Sequence, residues 1–292
     1  MTNSGQMRGA AGLSHKPLIL SELSWPEVAE FQDGVEMVLI PFGSTEQHGP
    51  NLALSADASI AESLCLLASA TMYPRLLVAP TVPWGVSPHH MDFPGTITLE
   101  ADTLLRVFYD MVDSLTRHGF KRFLIVNAHG GNKEISGVVA QDLGNRCELE
   151  FCGSVFVWDL IPDRLKSGWQ KTDRVGHACE LEVSDALFLC PEIVKRDALG
   201  AGDFREDGWD LRDTLARYGV RAASNMSDIT NNGALGDATL ASVEAGRERS
   251  EAAVESLGDI VAAVRRSSMA RQDQEASGFP PPIEPGAGFS RE

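Results

Sequence analysis

Two patterns of apolar and polar positions alternate along the chain: short apolar runs and longer amphipathic stretches. Apolar runs bounded by turn-forming residues predict buried strands at Val35–Ile40, Leu76–Ala79, 122–127 and 151–158. Helical periodicity between them predicts helices at 58–72, 100–118, 132–144 and 180–189, and a long helix near 237–266. Ser24-Trp25-Pro26-Glu27 has capping-box spacing, which predicts a further helix running from there towards Phe31.

Strands that alternate with helices of this length predict an α/β fold. Parallel neighbours need crossover connections, so we expect a mainly parallel sheet with helices on both faces. We divide the chain into a flexible N-terminus at 1–16, a single domain at 17–268 and a flexible tail at 269–292. The tail is rich in Pro, Gly and charge, and it offers little material for a core.

Composition narrows the possible partners. The hydrophobic content of 43% is ordinary for a globular protein, and the net charge is −16. A strongly acidic chain does not neutralise phosphates with clustered Lys and Arg, so we expect neither nucleic acid nor a membrane as a partner. No apolar run reaches the roughly 18–20 residues of a spanning helix, and the first sixteen residues lack the apolar centre of a signal peptide. These features predict a cytoplasmic protein.

The five cysteines do not form a recognisable framework. They are Cys65, Cys147, Cys152, Cys179 and Cys190, an odd number without a C-x-x-C pair. We interpret most of them as small buried apolar residues. One alternative is a thiol enzyme with Cys179 as nucleophile and His177 as base, although two residues apart is poor spacing for such a pair on a helix.

Candidate catalytic chemistry follows two of the predicted strands. Ligands of parallel sheets collect beyond the carboxyl ends of the strands. Glu46 and His48 follow the first strand and can face one point, because residues two apart in an extended segment share a side. Asp57 opens a helix, and His129 follows the strand at 122–127. Mixed nitrogen and oxygen ligands suit zinc, manganese or iron. Each residue alone also fits an ordinary cap, helix start or turn.

Four motifs in order resemble the creatininase family: GSTEQHGPNLALSAD, FPGTITL at 93–99, NAHGGN at 127–132 and HACELEVS at 177–184. The resemblance covers about 20 to 245. It implies a three-layer α/β sandwich, one or two divalent ions (zinc, manganese or iron) and a homo-oligomer, commonly a hexamer. By motif it implies that Glu46, His48, Asp57 and His129 are metal ligands, with Asp57 between two ions. It further implies that Glu182 completes the second metal site and that His177 transfers a proton.

Residues around this set are candidate substrate contacts. Gly130 and Gly131 allow close backbone approach and can leave amides free to hold an oxyanion. We place Ser87 and His90 with them, although His90 also fits a role in the wall of the site. Gly130-Gly131 replaces the Tyr-Glu of creatininase itself, and Thr172, Asp173 and Arg174 stand where creatininase has tryptophans just before its catalytic His, so a substrate other than creatinine is expected.

Together these features predict metal-dependent hydrolysis of a small cyclic or linear amide, in which metal-activated water attacks the carbonyl. A peptidase that trims a short peptide, or a formamide deformylase, is the alternative within the same chemistry. A non-catalytic metal-binding protein is a more remote alternative.

Overall fold

Five parallel strands form one sheet in the structure, a computed structural model that describes residues 15–220 and 222–276. They are β1 (Leu18–Ile19), β2 (Met37–Phe42), β3 (Leu76–Val78), β4 (Arg122–Asn127) and β5 (Phe151–Phe156). Their order across the sheet is β1-β3-β2-β4-β5, and every neighbouring pair is parallel. The central strand β2 is buried along its whole length, as its uninterrupted apolar run predicts.

Helices connect and cover these strands. They are α1 (Trp25–Phe31), α2 (Ala56–Thr71), α3 (Ala101–Arg117), α4 (Lys133–Arg146), α5 (Asp163–Trp169), α6 (Glu180–Leu189), α7 (Glu206–Arg217) and α8 (Val243–Ala276). The predicted capping box of α1 is present, since the backbone N–H of Ser24 donates to Glu27 at 2.7 Å. None of the described helices is long and apolar enough to cross a bilayer.

Alternating residues of β2 divide the interior into two cores. Leu39 belongs to the core formed with α2, α6 and α8, whereas Ile40 belongs to the core formed with α3 and α4. This alternation follows from the opposite directions of successive side chains in a strand. Helices therefore lie on both faces of a parallel sheet, which confirms the three-layer prediction.

Several predicted boundaries differ from the structure. The short strand β1 and helices α5 and α7 were not predicted, because β1 has two residues and the helices contain Gly168 and Gly208 within polar stretches. The last helix begins at Val243 and not at 237, since Asp237 caps a separate 3-10 turn through the N–H of Thr239. That helix continues to Ala276, so the first residues of the predicted tail are helical, and the division of the chain at 269 stays a prediction. Residues 1–14 and 277–292 of the predicted flexible ends lie outside the described residues.

A buried ion pair links α6 to α8 behind the site described below. Arg249 donates to both carboxylate oxygens of Asp185, at 2.8 and 2.9 Å, and Trp158 Nε1 donates to the same carboxylate at 2.8 Å. The Arg249 side chain is completely buried. Planar bidentate geometry of this kind fixes the relative position of the two helices as well as pairing the charges.

Helix α8 also approaches α6 closely at Gly246. An ideal Cβ there would lie 1.9 Å from the carbonyl oxygen of Ser184, whereas a Cβ at Gly258 of the same helix would meet nothing nearer than Met72 Sδ at 3.6 Å. We expect Gly246→Ala to lower the free energy of unfolding by about 1–3 kcal/mol through overpacking. Gly258→Ala should raise it by up to about 1 kcal/mol, because alanine favours helix. Urea unfolding of both variants measures whether the two changes in free energy of unfolding have opposite signs. Equal changes would contradict the close approach of α8 to α6 at Gly246.

Candidate active site

The candidate site lies at the carboxyl ends of β2 and β4. These strands are neighbours, and Phe42 at the end of one is opposite Asn127 at the end of the other. The loop after β2 carries Glu46 and His48, and the loop after β4 carries His129. The first turns of α2 and α6 supply Asp57 and Glu182. All five of these residues are buried, with exposed fractions between 0% and 4%.

Carboxylate and imidazole groups alternate across the site. His129 Nδ1 lies 3.1 Å from Glu46 Oε1 and 3.3 Å from Asp57 Oδ2. His48 Nε2 lies 3.3 Å from Asp57 Oδ1 and 3.5 Å from Glu182 Oε1. The two oxygens of Asp57 therefore face different histidines. The structure thus brings together the five residues proposed as metal ligands, with Asp57 between the two halves.

Backbone carbonyls fix which nitrogen of each of these histidines faces the carboxylates. His48 Nδ1 lies 3.0 Å from the carbonyl oxygen of Glu46, and His129 Nε2 lies 3.2 Å from that of Val86. A carbonyl oxygen only accepts, so these nitrogens carry protons and donate. The opposite nitrogen of each ring points at carboxylates. That arrangement requires a cation between the groups, either a proton or a metal ion, and metal-binding histidines are commonly held in this way.

Three oxygens of these carboxylates lack a hydrogen-bond donor. Among the described residues no group donates to Glu46 Oε1, Glu46 Oε2 or Asp57 Oδ2, and all three atoms are buried. Burying a charged oxygen without a donor is strongly unfavourable, so these atoms call for a cation. Three groups of potential ligand atoms lie within 4.8 Å of one another: Glu46, His90 and His177; His48, His177 and Glu182; and Glu46, His48 and Asp57. The donor set therefore fits a divalent metal that takes nitrogen and oxygen ligands.

The pKa values of the protein groups in the site agree with this fit. Burial would raise the pKa of Glu46, but the neighbouring His129 and His90 hold it well below its ordinary value. Burial would lower the pKa of His129, but Glu46 and Asp57 raise it to about 10. The pKa of His48 is also raised well above its ordinary value, because Asp57 and Glu182 outweigh its burial. The negative charge that favours protons on these imidazoles would equally favour a divalent ion in their place.

His177 differs from these histidines. Its Nε2 lies 2.6 Å from the carbonyl oxygen of Gln47, so Nε2 carries the proton and Nδ1 presents a lone pair, 3.9 Å from Glu46 Oε1. Burial, followed by the adjacent His48, lowers the pKa of His177. A neutral imidazole with an exposed lone pair in the site can accept a proton, which is the chemistry proposed for His177.

The residue after His177 adopts a strained conformation. Ala178 has φ of 50°, in the left-handed region that residues other than glycine rarely enter. Its N–H donates to Glu182 Oε2 at 2.5 Å, and its carbonyl accepts from Asn51 Nδ2 at 2.9 Å. These two bonds hold the turn that places His177 beside the ligand set.

The candidate substrate contacts differ in how they are placed relative to His129 and Glu46. Ser87 is fully buried behind His129, with Oγ 3.1 Å from Nε2, so it contacts the outer side of that imidazole. His90 is buried, with Nε2 3.3 Å from Glu46 Oε1. A Cβ at Gly131 would lie 2.4 Å from His129 Nε2, whereas one at Gly130 would have no atom of the described residues within 4 Å. Close approach therefore requires glycine at position 131 and not at position 130.

Sequence reasoning missed the polar residues that support the site. Asn127 brackets His129, accepting from its N–H at 3.0 Å and donating to its carbonyl at 2.8 Å. Asn132 joins the loops after β2 and β3, since it donates to Gly43 and accepts from Val86. Glu180 accepts from Thr172 and Asp237 and orders two further loops. The sequence signal for Asn127 and Asn132 was their position on either side of His129, just after a predicted strand.

Cys179 does not fit the thiol-enzyme alternative. Its side chain is 4% exposed at the N-terminal boundary of α6. Burial, followed by the nearby Glu182, raises the pKa of its thiol to about 11. The thiol is therefore protonated at neutral pH, whereas a nucleophilic cysteine must be a thiolate.

Comparison with known proteins agrees with this geometry. The family model "Creatininase: Creatinine amidohydrolase" matches residues 21–261. A mycofactocin precursor peptide peptidase of Mycobacterium ulcerans is 32% identical over 240 residues, covering 78% of this chain and 86% of that protein. A creatinine amidohydrolase of Pseudomonas putida is 28% identical over 206 residues, covering 62% and 75% of the two chains.

Solved structures show the same fold. A manganese creatininase superposes with a TM-score of 0.69 at 23% identity, covering 86% of this chain and 99% of that one. A zinc form of a mutant creatininase gives 0.68 at 23% identity, with 86% and 98% covered. The match of the family model to most of the chain, together with a parallel sheet that carries this cluster at its carboxyl edge, shows that the chain belongs to the creatininase family and is a hydrolase.

Proposed function

We propose that this hydrolase cleaves an amide C–N bond of a small cyclic or linear amide and depends on a divalent metal ion. One observation carries the proposal: among the described residues nothing donates a hydrogen bond to three buried carboxylate oxygens, both of Glu46 and Asp57 Oδ2, and Glu46 Oε1 and Asp57 Oδ2 lie 3.1 and 3.3 Å from His129 Nδ1. A structural ion pair would leave no such oxygens, because buried charged groups otherwise find donors.

The ligand set divides into two halves. Glu46, Asp57 and His129 would hold one ion, and His48, Asp57 and Glu182 would hold a second, with Asp57 shared. A divalent ion held there would supply Lewis acidity, lowering the pKa of a water molecule towards neutrality and polarising a carbonyl. Zinc, manganese and iron all accept this mixture of ligands.

Protein groups handle the protons of the reaction. Nδ1 of His177 accepts a proton from the attacking water, because Nε2 is already protonated and bound to the carbonyl of Gln47. The same nitrogen then gives that proton to the departing nitrogen as the C–N bond breaks. Ser87 holds the outer side of His129, so we assign it a positioning role in place of the substrate contact first expected.

A short peptide is the second candidate substrate. It is favoured by the relatives named mycofactocin precursor peptide peptidase, which are 30–32% identical to this chain. A peptide bond is itself an amide, so the same water, His177 and ligand set would serve. A formamide uses the same chemistry too, and the three classes differ in what surrounds the reacting carbonyl.

Metal removal and a substrate panel test the proposal. The protein is stripped with a chelator, metal content is checked by elemental analysis, and activity is measured on lactams, formamides and dipeptides after adding manganese, zinc or iron. We expect turnover to fall to background without metal and to return with at least one ion. Full activity in protein with no measurable metal would refute the scheme, and the panel identifies the substrate class.

The assembly is a further proposal that rests on the family. Members of this family commonly form homohexamers, and we propose a homo-oligomer in the cytoplasm for this chain. Light scattering coupled to size-exclusion chromatography gives the mass of the particle to compare with the 31.5 kDa chain. A monomer at micromolar concentration would contradict the oligomer.

A further inference from the structure

Gln47 contacts two histidines of the candidate site through different atoms. Its side-chain Nε2 lies 2.9 Å from His90 Nδ1, and its backbone carbonyl oxygen lies 2.6 Å from His177 Nε2. The Gln47 side chain is only 5% exposed. A single buried residue, placed between Glu46 and His48 in the chain, therefore touches one nitrogen of each ring.

Backbone partners fix the orientation of the Gln47 amide. Its Oε1 accepts from the N–H of Gly49 at 2.8 Å, and its Nε2 donates to the carbonyl of Gly233 at 3.1 Å. If Oε1 and Nε2 were exchanged, the NH2 group would face the N–H of Gly49 and the oxygen would face the carbonyl of Gly233. Both hydrogen bonds would then be lost. The group facing His90 Nδ1 is therefore a donor.

This contact determines the tautomer of His90. Because an amide nitrogen only donates, His90 Nδ1 must accept, and the proton of the neutral ring lies on Nε2. That Nε2 lies 3.3 Å from Glu46 Oε1, yet Glu46 Oε1 accepts no hydrogen bond. Among the described residues, the hydrogen bonds of the His90 ring involve Nδ1 only. The Nε2–H group is thus a donor still free to bind something else.

His177, which lies beside His90, presents a hydrogen-bond acceptor. The Gln47 carbonyl accepts from His177 Nε2, which leaves a lone pair on Nδ1. The centroids of the two rings are 4.6 Å apart. A hydrogen-bond donor and a hydrogen-bond acceptor therefore stand side by side, and a single residue sets both.

We propose that Gln47 is a positioning residue that makes His90 the donor for the substrate carbonyl oxygen and His177 the proton acceptor. The inference rests on the proposed amide hydrolysis. The water oxygen bonds to the carbonyl carbon while its proton goes to His177 Nδ1. The C–N bond then breaks, and that proton moves to the departing nitrogen. His90 keeps its proton throughout and bonds the oxygen on which negative charge develops.

The same argument excludes His90 from the metal ligands. It stands close enough to Glu46 and His177 to complete a set of three ligand atoms. A metal requires the lone pair of a ring nitrogen, and the only free nitrogen of His90 carries a proton while Gln47 donates to the other. The hydrogen bond from Gln47 therefore makes His90 a substrate-binding histidine, whereas His48 and His129 can bind metal.

Nitrogen NMR of histidine-labelled protein tests the inference directly, with and without zinc. The chain has seven histidines, and His90→Gln and His177→Gln assign the two rings. We expect both wild-type rings to carry the proton on Nε2. Gln47→Glu should move the His90 proton to Nδ1, because a carboxylate accepts and cannot donate. His177 should keep its Nε2 proton in that variant, since its partner is a backbone carbonyl.

Thr96→Val is the matched control. The Thr96 hydroxyl accepts from the backbone N–H of Gln47 at 3.2 Å and donates to the His90 carbonyl at 3.3 Å, but it touches neither ring. The Thr96→Val substitution perturbs the same loop, but the tautomers of His90 and His177 should stay as in wild type. A His90 shift in Thr96→Val equal to that in Gln47→Glu would mean that general loop disturbance, and not Gln47, sets the tautomer.

Gln47→Leu adds a kinetic measurement. We expect kcat to fall about 10- to 100-fold with little change in KM, as for other groups that orient an active-site residue. A proton on Nδ1 of wild-type His90, or an unchanged His90 in Gln47→Glu, overturns the inference whatever the activity. Correct tautomers in a protein whose turnover needs no metal would refute the proposed function and leave the assignment of Gln47 intact.

Discussion

Turnover should fall at least about 1,000-fold in Glu46→Gln, with loss of bound metal. The substitution keeps the shape of the side chain but removes one negative charge and offers an NH2 group where an ion would bind. Metal catalysis contributes several kcal/mol to lowering the barrier, and each 1.36 kcal/mol corresponds to a factor of ten. Elemental analysis and kcat/KM on the best amide of the panel measure the two effects.

Stability provides a second readout for the same variant. Metal at about 100 times its dissociation constant should stabilise wild-type protein by about 2.7 kcal/mol, and this gain should vanish in Glu46→Gln. Without metal the variant also loses the attraction between Glu46 and His129, so its metal-free stability should fall as well. A metal-dependent gain that persists in Glu46→Gln would show that Glu46 is not a ligand.

Glu180→Gln is the matched control for Glu46→Gln. Glu180 is also buried, but its oxygens accept from the N–H groups of Lys171, Thr172 and Asp237, at 2.9 to 3.1 Å. An amide NH2 would face one of these donors, so we expect a loss of about 1–3 kcal/mol in the free energy of unfolding. Metal content should remain that of wild type. The two buried glutamates would thus differ in metal content, which only Glu46→Gln should lower.

His177→Asn should lower kcat by about 100- to 10,000-fold, the usual contribution of proton transfer by a positioned side chain. Metal content should not change, because the structure supplies a complete ligand set without His177. KM should also change little, since the lost interaction belongs to the transition state. Steady-state kinetics and elemental analysis of the same preparation separate these quantities.

His118→Asn serves as the control for this substitution. His118 is an exposed histidine directly after the last residue of α3. The substitution is chemically the same, but we expect wild-type kinetics from it. Loss of metal in His177→Asn would instead make His177 a ligand, consistent with its place beside Glu46 and His90, and would contradict the role of proton carrier.

Much of the fold was predictable because its signals are local. The apolar run of β2 predicts a buried parallel strand, and the capping box at Ser24 predicts the start of α1. By contrast, α7 has a polar sequence with Gly208 inside it, so its periodicity is weak. It buries Trp209 against Met226 and Ile229, which lie in a distant segment. Local propensity contains no information about such contacts.

The two glutamates of α6 show the corresponding limit for the site. In sequence, Glu180 and Glu182 are both acids in the first turn of one helix, where the dipole favours either. Only family resemblance distinguished them. In the structure, the carboxylate of Glu180 accepts hydrogen bonds from two loops, whereas Glu182 lies 3.5 Å from His48. Their roles depend on which distant groups surround them.

The sequence by itself determined the chemical groups, the strands that carry them and the family motifs, because strand ends and ligand types follow from neighbouring residues. The tertiary structure alone decided which buried oxygens remain without donors and which nitrogen of each histidine bears the proton. The reason is that a hydrogen bond depends on position in space: the partner of His177 is the carbonyl of Gln47, 130 residues away. That bond makes the imidazole an acceptor.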